Sequence, residues 1–306
     1  MNIFSTGWSE GFDGPGRRWV VYLKGCNFRC RWCANPEGLS PEPQILFYAD
    51  RAQYADKACP YGAVAKSAPR LSCESKKGGI LDREKCAVCP DISCVRVWHH
   101  PAFEYAGKEV SVAEIVGRAE RYRPLFGRDG GVTFGGGEPT LQANQLLEAV
   151  KALRQKGIGT AIETNASTTD LQRFIGLVDL LICDLKCISN DQHLHWMDAD
   201  NQQVLENLQL AAKSQPQLIV RIPFVKGMND SKDEMEKLKT FLDDLAKQRE
   251  CLQVEVLRQH HLGEPKYAAL GKKYPMHNAP LPERNEAQVF VDELVRCGFG
   301  ASLGQK

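Results

Sequence analysis

Three cysteines on one short loop are the residues of this chain most able to do chemistry. The stretch GlyCysAsnPheArgCysArgTrpCys (25–33) places Cys26, Cys30 and Cys33 at a C-x3-C-x2-C spacing. Three thiolates so close in sequence can bind three irons of a [4Fe–4S] cubane and leave the fourth iron open, as catalytic metal sites keep one position open. A structural zinc site is the alternative, but it needs a fourth Cys or His, and none lies close in sequence.

A glycine-rich run follows much later in the chain, as ThrPheGlyGlyGlyGluPro at 133–139. Gly135, Gly136 and Gly137 lack side chains, so their backbone can approach a ligand closely and offer it N–H and C=O groups. Glu138 is the acidic member of this run. An ordinary turn is the alternative interpretation, because glycine-rich runs alone are weak signals.

Charged residues stand at the ends of three further predicted strands. IleGluThrAsn (162–165) and CysAspLeuLys (183–186) end two of them, and ArgIlePro (221–223) ends the third. Because side chains alternate along a strand, Asp184 and Lys186 share one face, where lysine can bind a carboxylate and aspartate can bind a cation or an ammonium group. A simple salt bridge at the strand end is the alternative.

The elements that must position these residues form a repeating pattern. Strands are predicted at 18–24, 131–135, 159–163, 180–184, 217–222 and 252–257. Helical segments are predicted between them at 140–155, 170–177, 201–214 and 231–249. Alternating strands and helices predict a parallel sheet with right-handed crossovers. We therefore expect an α/β fold, a partial (β/α)6 TIM-like barrel, with its chemistry at the carboxyl ends of the strands.

Residues 36–108 have a different texture, with many Pro, Gly and Cys residues and little helical periodicity. We expect residues 1–35 and 109–306 to form the barrel and 36–108 to be a small cysteine-rich insert. Five of the twelve cysteines lie in the insert, namely Cys59, Cys73, Cys86, Cys89 and Cys94. The four scattered cysteines are interpreted as small core hydrophobes, and these are Cys183, Cys187, Cys251 and Cys297.

Composition excludes several classes of partner. The 39 basic and 38 acidic residues leave a net charge of +1, which gives no electrostatic reason to bind nucleic acid or an anionic membrane. No stretch approaches the roughly 20 apolar residues of a membrane span. The first residues lack the pattern of a secretory signal, so we expect a cytoplasmic protein whose cysteines are not disulfides.

Together the motifs resemble the radical S-adenosylmethionine (SAM) superfamily and, within it, the glycyl radical enzyme activating enzymes such as pyruvate formate-lyase activase. Trp32 fits the superfamily's aromatic residue before the third cysteine. PheAspGlyProGlyArgArg (12–18) is close to the family's DGPG-x-R motif, and the similarity continues through GlyGlyGlyGluPro, GluThrAsn, AspLeuLys and ArgIleProPheValLysGlyMetAsnAsp. The resemblance covers nearly the whole chain.

The resemblance implies an anaerobic enzyme that activates a partner protein. SAM would bind the open iron, one electron would cleave it to a 5′-deoxyadenosyl radical, and this radical would remove a Cα hydrogen from a glycine of a partner glycyl radical enzyme. Reduced flavodoxin or ferredoxin is the implied electron donor.

The resemblance also implies roles for individual residues. Residues implied to bind or surround SAM are Trp32, Gly135, Gly136, Gly137, Glu138, Lys186, Arg221 and His260. Glu163, Thr164 and Asp184 match a monovalent-cation site, with Glu163 in place of a more usual aspartate. Asp13 matches a position near the partner's glycine loop, although a turn residue in AspGlyProGly explains it equally well.

The insert resembles a ferredoxin module from which one cluster has been lost. Such modules repeat C-x2-C-x2-C-x3-C-P, and the fourth Cys of each half binds the other half's cluster. Counting back from Cys59–Pro60 gives three alanines where cysteines are expected, at Ala49, Ala52 and Ala55. We therefore expect one auxiliary [4Fe–4S] cluster, held by Cys59, Cys86, Cys89 and Cys94, with Cys73 as a spare. Zinc at the same thiolates is the alternative.

Two other functions remain open from the sequence. A radical SAM enzyme acting on a small molecule, such as a deazapurine synthase, would share the cysteine loop and the glycine-rich motif. A ferredoxin-like carrier or zinc scaffold would share the cysteines, but such a protein needs no barrel.

Overall fold

The computed structural model describes residues 1–52, 54–65, 80–89 and 92–304. The strands of this part are β1 (Asn2–Glu10), β2 (Arg17–Leu23), β3 (Gln44–Phe47), β4 (Phe103–Ala106), β5 (Lys108–Glu109), β6 (Gly131–Gly136), β7 (Thr160–Thr164), β8 (Leu180–Asp184), β9 (Gln217–Phe224), β10 (Gln253–Arg258) and β11 (Gly300–Leu303). Its α-helices are α1 (Ala55–Ala58), α2 (Arg83–Ala87), α3 (Ser93–Arg96), α4 (Val112–Phe126), α5 (Ala143–Gln155), α6 (Asn190–Met197), α7 (Gln202–Ser214), α8 (Lys232–Ala246), α9 (Glu264–Ala269) and α10 (Arg284–Arg296).

A nine-stranded sheet organises the molecule, in the order β11-β10-β9-β8-β7-β6-β2-β1-β5. Neighbouring strands are parallel from β11 to β2, whereas β1 pairs antiparallel with both β2 and β5. All six predicted strands are present at or near their predicted positions. The expected α/β class with a large, mostly parallel sheet is therefore confirmed.

The sheet forms because its central strands are apolar on both faces, as strands covered by helices on one side and by a packed interior on the other must be. In β8, LeuLeuIleCys is fully buried. Helix α5 buries Leu146, Ala149, Val150 and Leu153, whose spacing of three or four residues places them on one face. This packing fixes the strand ends from which the site is built.

The structure differs from the sequence-based expectations in two places. The helix predicted at 170–177 is a short 3-10 helix, Thr169–Arg173. It ends early because Gly176 turns the chain with φ 74° and donates its N–H to the Gln215 side chain. The interpretation of the scattered cysteines was wrong for Cys251 and Cys297, which are exposed because they stand at element ends; the other two, Cys183 and Cys187, are buried.

The insert has a small core of its own. Strands β3 and β4 pair antiparallel, and Val64 forms an isolated bridge with Leu81. The buried apolar residues of this core are Phe47, Ala52, Ala55, Ala58, Val64, Cys94, Ala102 and Phe103. Cys73 lies outside the described residues. Among the described residues, no helix combines the length and apolarity that a bilayer span requires.

Candidate active site

A cavity of about 550 Å³ opens at the carboxyl ends of the parallel strands. It gathers most of the residues that the sequence singled out, namely Asp13, Cys26, Cys30, Trp32, Cys33, Gly136, Gly137, Glu163, Thr164, Asp184, Lys186, Arg221 and His260. Gly135 and Glu138 were also expected at the cofactor, but they do not line this cavity. Functional groups from five strand ends and two loops, the cysteine loop and the β1–β2 loop that carries Asp13, therefore meet in one chamber.

The cysteine loop (25–33) is held in place by backbone hydrogen bonds to α6. The N–H groups of Arg29 and Arg31 donate to the carbonyls of Met197 and Trp196 over 2.9 and 3.2 Å. Such bonds involve the last carbonyls of a helix, which lack partners within it. The loop is therefore positioned by the strand β2 that precedes it and by the helix that follows β8.

The thiols of the cysteine loop lie in a poorly solvated environment. Burial raises the pKa of Cys26 and of Cys30 to about 12, and that of Cys33 to about 11. Thiols with such pKa values stay protonated at neutral pH, and only the thiolate binds metal. Binding of a cluster must therefore release these protons. The positive charge of the metal then stabilises the thiolates, which their poorly solvated surroundings do not.

Glu138 is a buried structural hub. Its Oε1 accepts hydrogen bonds from the Thr140 N–H (3.0 Å), the Thr140 hydroxyl (2.6 Å) and the Thr164 hydroxyl (2.8 Å). Its Oε2 accepts from the Asn165 N–H at 2.7 Å. Burial raises the pKa of Glu138, and these four donors oppose the rise. The carboxylate thus joins the end of β6 to the end of β7.

The glycine-rich run is needed for close backbone packing. Gly136 has φ 115°, and a Cβ on Gly137 would stand 2.0 Å from the Gly25 carbonyl oxygen. The N–H groups of Gly137 and Glu138 donate to the carbonyls of Leu23 and Gly25. Side chains here would push the end of β6 away from the start of the cysteine loop. Sequence reasoning predicted close approach to a ligand, and the structure shows close approach to the loop.

Asn165 extends this support to the first cysteine. Its side-chain amide donates to the Asn27 Oδ1 at 3.0 Å and lies 3.8 Å from the Cys26 sulfur. Asn27 in turn donates to the Ser167 hydroxyl at 2.7 Å. A hydrogen bond to the sulfur favours thiolate over thiol, so Asn165 is suited to stabilise a metal-bound Cys26.

Asp184 and Lys186 form the ion pair that their spacing predicted. Lys186 Nζ lies 2.7 Å from Asp184 Oδ2, and the lysine side chain is almost completely buried. Burial acts to lower the pKa of Lys186, but the charge of Asp184 overcomes it and raises the pKa. Lys186 therefore remains cationic inside the cavity and can meet a carboxylate there.

Arg221 is hydrogen-bonded to three separate segments of the chain. Its Nε donates to Glu255 at 2.7 Å, while its two terminal nitrogens donate to the Glu163 carboxylate and the Phe12 carbonyl. Burial raises the pKa of Glu163 to about 7, with added repulsion from Asp13 and Asp184, although Arg221 opposes the shift. Glu163 therefore holds its proton more readily than an exposed carboxyl group.

Trp32 and His260, the predicted SAM-binding residues with ring side chains, line the cavity. The centre of the Trp32 ring lies 6.3 Å from that of the Trp196 ring, and the Arg31 guanidinium carbon lies over the Trp196 ring, 5.5 Å from its centre. His260 Nδ1 accepts a hydrogen bond from the Leu262 N–H at 3.2 Å, which assigns the ring proton to Nε2 in the neutral form.

Sequence reasoning missed three polar residues of the same cavity. Glu37 is buried and pairs with Lys266 Nζ at 2.5 Å, and its second oxygen has no hydrogen bond. Gln259 is likewise buried, and its side chain lies beside Tyr274. The spacing of these residues carried no signal, because Glu37 and Lys266 meet only through the tertiary fold.

The four insert thiols lie near one another. Burial raises the pKa of Cys94 to about 11, and the neighbouring thiols of Cys86, Cys59 and Cys89 add to the rise. In the ranges that the structure describes, no three His, Cys, Asp or Glu side chains converge tightly enough to share one metal ion. A cubane differs in this respect, because each of its thiolates binds a separate iron.

The chemistry of the cavity fits a [4Fe–4S] cluster with SAM. Cys26, Cys30 and Cys33 face one chamber and supply three thiolates, which leaves one iron for another ligand. SAM carries a carboxylate, an ammonium group and an adenine. Buried Lys186 suits the carboxylate, and Asp184 suits the ammonium group.

Comparison with known proteins agrees with this chemistry. The profile of the radical SAM superfamily matches residues 20–241. The chain is 30% identical over 298 residues to the 4-hydroxyphenylacetate decarboxylase activating enzyme of Clostridioides difficile (strain 630), covering 94% of this chain and 92% of that one. It is 31% identical over 304 residues to the (2S)-3-sulfopropanediol dehydratase activating enzyme of Klebsiella oxytoca, covering 96% and 94%.

A solved structure supports the fold alone. Streptococcus suis SuiB bound to the precursor peptide SuiA superposes with a TM-score of 0.52 at 10% identity, covering 93% of this chain and 48% of that one. With the superfamily match and the near full-length similarity to activating enzymes, the chain belongs to the radical SAM superfamily and, within it, to the glycyl radical enzyme activating enzymes.

Proposed function

We propose that this enzyme generates a glycyl radical in a partner protein by removing one hydrogen from a glycine Cα. The observation that carries the proposal is the cavity in which Cys26, Cys30 and Cys33 share a wall with the Asp184–Lys186 pair. The near full-length similarity to activating enzymes supports a protein substrate over a small molecule. Those relatives serve partners as different as a decarboxylase and a dehydratase, so they do not identify the partner.

The atoms and electrons of the proposed reaction balance. When bound, the reduced cluster supplies one electron to SAM, whose C5′–S bond breaks to give methionine and the deoxyadenosyl group that takes the hydrogen. The glycine Cα–H bond breaks homolytically, and its hydrogen completes 5′-deoxyadenosine. The partner keeps the unpaired electron. A one-electron donor is required, and reduced flavodoxin or ferredoxin is proposed.

The chain's own residues bind and orient the reactants. Lys186 holds the SAM carboxylate, and Asp184 is close enough to Lys186 to accept from the ammonium group beside it. Glu163, Thr164 and Asp184 are proposed to bind a monovalent cation, because all three line the cavity and the two carboxylates supply negative charge. Asp13, at the cavity wall beside Glu163, is proposed to face the incoming glycine loop.

The test requires the partner, which we expect to be encoded beside this protein. Anaerobic incubation of the reduced enzyme with SAM and the partner should give a glycyl radical signal by electron paramagnetic resonance, with one 5′-deoxyadenosine released per radical. The matched control is Cys30→Ala, which should give neither product. Release of 5′-deoxyadenosine without a radical on any candidate partner would favour the small-molecule alternative.

We also propose one auxiliary [4Fe–4S] cluster in the insert, bound by Cys59, Cys86, Cys89 and Cys94. The proximity of these four thiols supports it. Two of the three alanines that replace the expected ligands, Ala52 and Ala55, lie in the insert's apolar core. Apolar core residues therefore occupy positions where a second cluster would need its cysteine ligands.

Metal content separates the alternatives for the insert. Two cubanes predict about eight irons per chain after anaerobic reconstitution. About four irons with one zinc would identify a zinc module, and about twelve would show a further cluster on other ligands. The matched variant, Cys86→Ala with Cys89→Ala, should lose about four irons and keep the cluster of the cysteine loop.

A further inference from the structure

Asn229 is a buried asparagine in the turn after β9, and it does not itself line the cavity. The residue is only 2% exposed, and both polar atoms of its amide are hydrogen-bonded. Its Oδ1 accepts from the Val225 N–H at 3.0 Å, which closes the turn between these two residues. Its Nδ2 donates at 2.8 Å to the carbonyls of Pro223 and Lys186. The bond to Lys186, 43 residues away in sequence, plays no part in the turn.

The backbone ladder between β8 and β9 ends just before Lys186. The Leu185 N–H donates to the Arg221 carbonyl at 2.8 Å, one residue past the end of β8. Pro223, two residues further along β9, has no N–H with which to extend the ladder. The Asn229 amide bonds to the carbonyls of Lys186 and Pro223, one from each of the two neighbouring segments. A buried side chain therefore joins the segments at the point where the proline interrupts their pairing.

The next two residues of the chain are held in the same way, by buried side chains from elsewhere. Asn201 donates to the Cys187 and Ile188 carbonyls at 3.2 and 2.7 Å. The Glu234 carboxylate accepts from the Ile188 N–H. Of these three side chains, only Asn229 bonds to residues that line the cavity. Asn229 is therefore the one placed to affect a ligand there.

We propose that Asn229 is a positioning residue, which fixes the backbone of Lys186 so that its ammonium group meets the SAM carboxylate. Lys186 is held at two points, because its carbonyl accepts from Asn229 and its Nζ bonds to Asp184 at 2.7 Å. Removal of the Asn229 amide takes this partner from the Lys186 carbonyl and frees the segment to shift. Charge-assisted hydrogen bonds need defined distances and angles, so such a shift should weaken SAM binding.

The inference rests on the proposed binding of SAM in this cavity, and a double-variant cycle tests it by equilibrium titration without turnover. Wild-type enzyme with a reconstituted cluster, Lys186→Met, Asn229→Leu and the double variant are each titrated with SAM. Asn229→Leu, which keeps the branched shape of the side chain, should weaken SAM binding about fivefold or more. The double variant should bind SAM within about twofold of Lys186→Met alone, because a residue that acts through Lys186 then has nothing left to position.

Gln215 is the matched control, because its amide makes the same three kinds of bond at the opposite end of β8 and β9. It donates to the Val178 and Asp179 carbonyls and accepts from the Gly176 N–H. It is also buried, and it does not line the cavity. Gln215→Leu should lower the urea stability about as much as Asn229→Leu does, yet leave the SAM affinity within about twofold of wild type.

The outcomes separate the possible failures. If wild-type enzyme does not bind SAM, the proposed function fails together with this inference. If it binds SAM and Asn229→Leu keeps the wild-type affinity, the inference alone is overturned. It is also overturned if the effect of Asn229→Leu adds in full to that of Lys186→Met, or if Gln215→Leu weakens SAM binding as much. Iron content and circular dichroism verify each variant, and Asn229→Ala replaces the leucine variant if that one does not fold.

Discussion

The two cysteine regions of this chain are held by different forces. Around the cysteine loop, Glu138 and Asn165 tie the ends of β6 and β7 to the first cysteine through a chain of hydrogen bonds. In the insert, the described helices that carry cysteines have four or five residues, and a core of eight buried side chains packs around them. Isolated helices so short have little stability of their own. The barrel therefore holds the cysteine loop in place without metal, whereas we expect the insert to depend much more on the metal proposed for it.

The largest expected effect is on 5′-deoxyadenosine formation, which should be lost when the cysteine loop is changed and kept when the insert is changed. Cys30→Ala removes a ligand of the proposed catalytic cluster and should abolish 5′-deoxyadenosine formation with dithionite as reductant. Cys94→Ala should leave dithionite-driven cleavage within a fewfold of wild type, because none of the insert's described cysteines lines the cavity. Product quantification by liquid chromatography measures both variants. Loss of cleavage in Cys94→Ala would show that the two regions are not separable.

Glu138→Ala should destabilise the barrel more than any single change in the insert's polar contacts. It leaves four buried donors without their acceptor, which costs about 3–5 kcal/mol of unfolding free energy. Glu138→Gln keeps one acceptor oxygen and should lose less. Urea unfolding of the metal-free protein measures the difference, and a loss below about 1 kcal/mol for the alanine variant would contradict the role of Glu138 as a hub.

Lys186→Met tests whether the prepared site also binds the ligand. The change removes a buried cation and should weaken SAM binding by about tenfold or more, since a charge-assisted hydrogen bond contributes roughly 1.5–3 kcal/mol. Lys226→Met is the matched control, because Lys226 pairs with Glu286 at 2.7 Å and does not line the cavity. Equal SAM affinities for the two variants in an equilibrium titration would make Lys186 a structural partner of Asp184 alone.

The smallest expected effect concerns the start of α2, which carries Cys86. Asp82 caps this helix by accepting from the Lys85 N–H at 3.1 Å, and this bond lowers the Asp82 pKa. Its contribution is complete above the ordinary carboxyl pKa of 3.8 and disappears as the pH falls through the lowered value. Asp82→Ala should speed limited proteolysis of the metal-free insert, whereas Asp82→Asn should not. Equal rates at neutral pH for both variants would contradict the cap.

The repeating parts of the fold could be predicted from the sequence, because buried parallel strands appear in it as apolar runs such as LeuLeuIleCys. The gathering of Cys26, Asp184, Lys186 and Arg221 followed from their places at strand ends. Contacts between distant segments could not be predicted. Glu138 looks like a ligand-facing acid until β7 supplies its donors, and nothing adjacent to Glu37 or Gln259 reveals that tertiary packing buries them beside the cavity.

The row of strands is not closed: within the described chain, β11 and β5 end it without pairing with each other. In a closed barrel the number of strands and their stagger fix the radius, and any widening must break hydrogen bonds. An open sheet has no such constraint, since small changes in twist between neighbouring strands alter its curvature while every ladder stays paired. The width of the chamber can therefore change as the sheet bends. We expect the sheet to admit a bulky polypeptide loop by such bending, without unfolding any part of the protein.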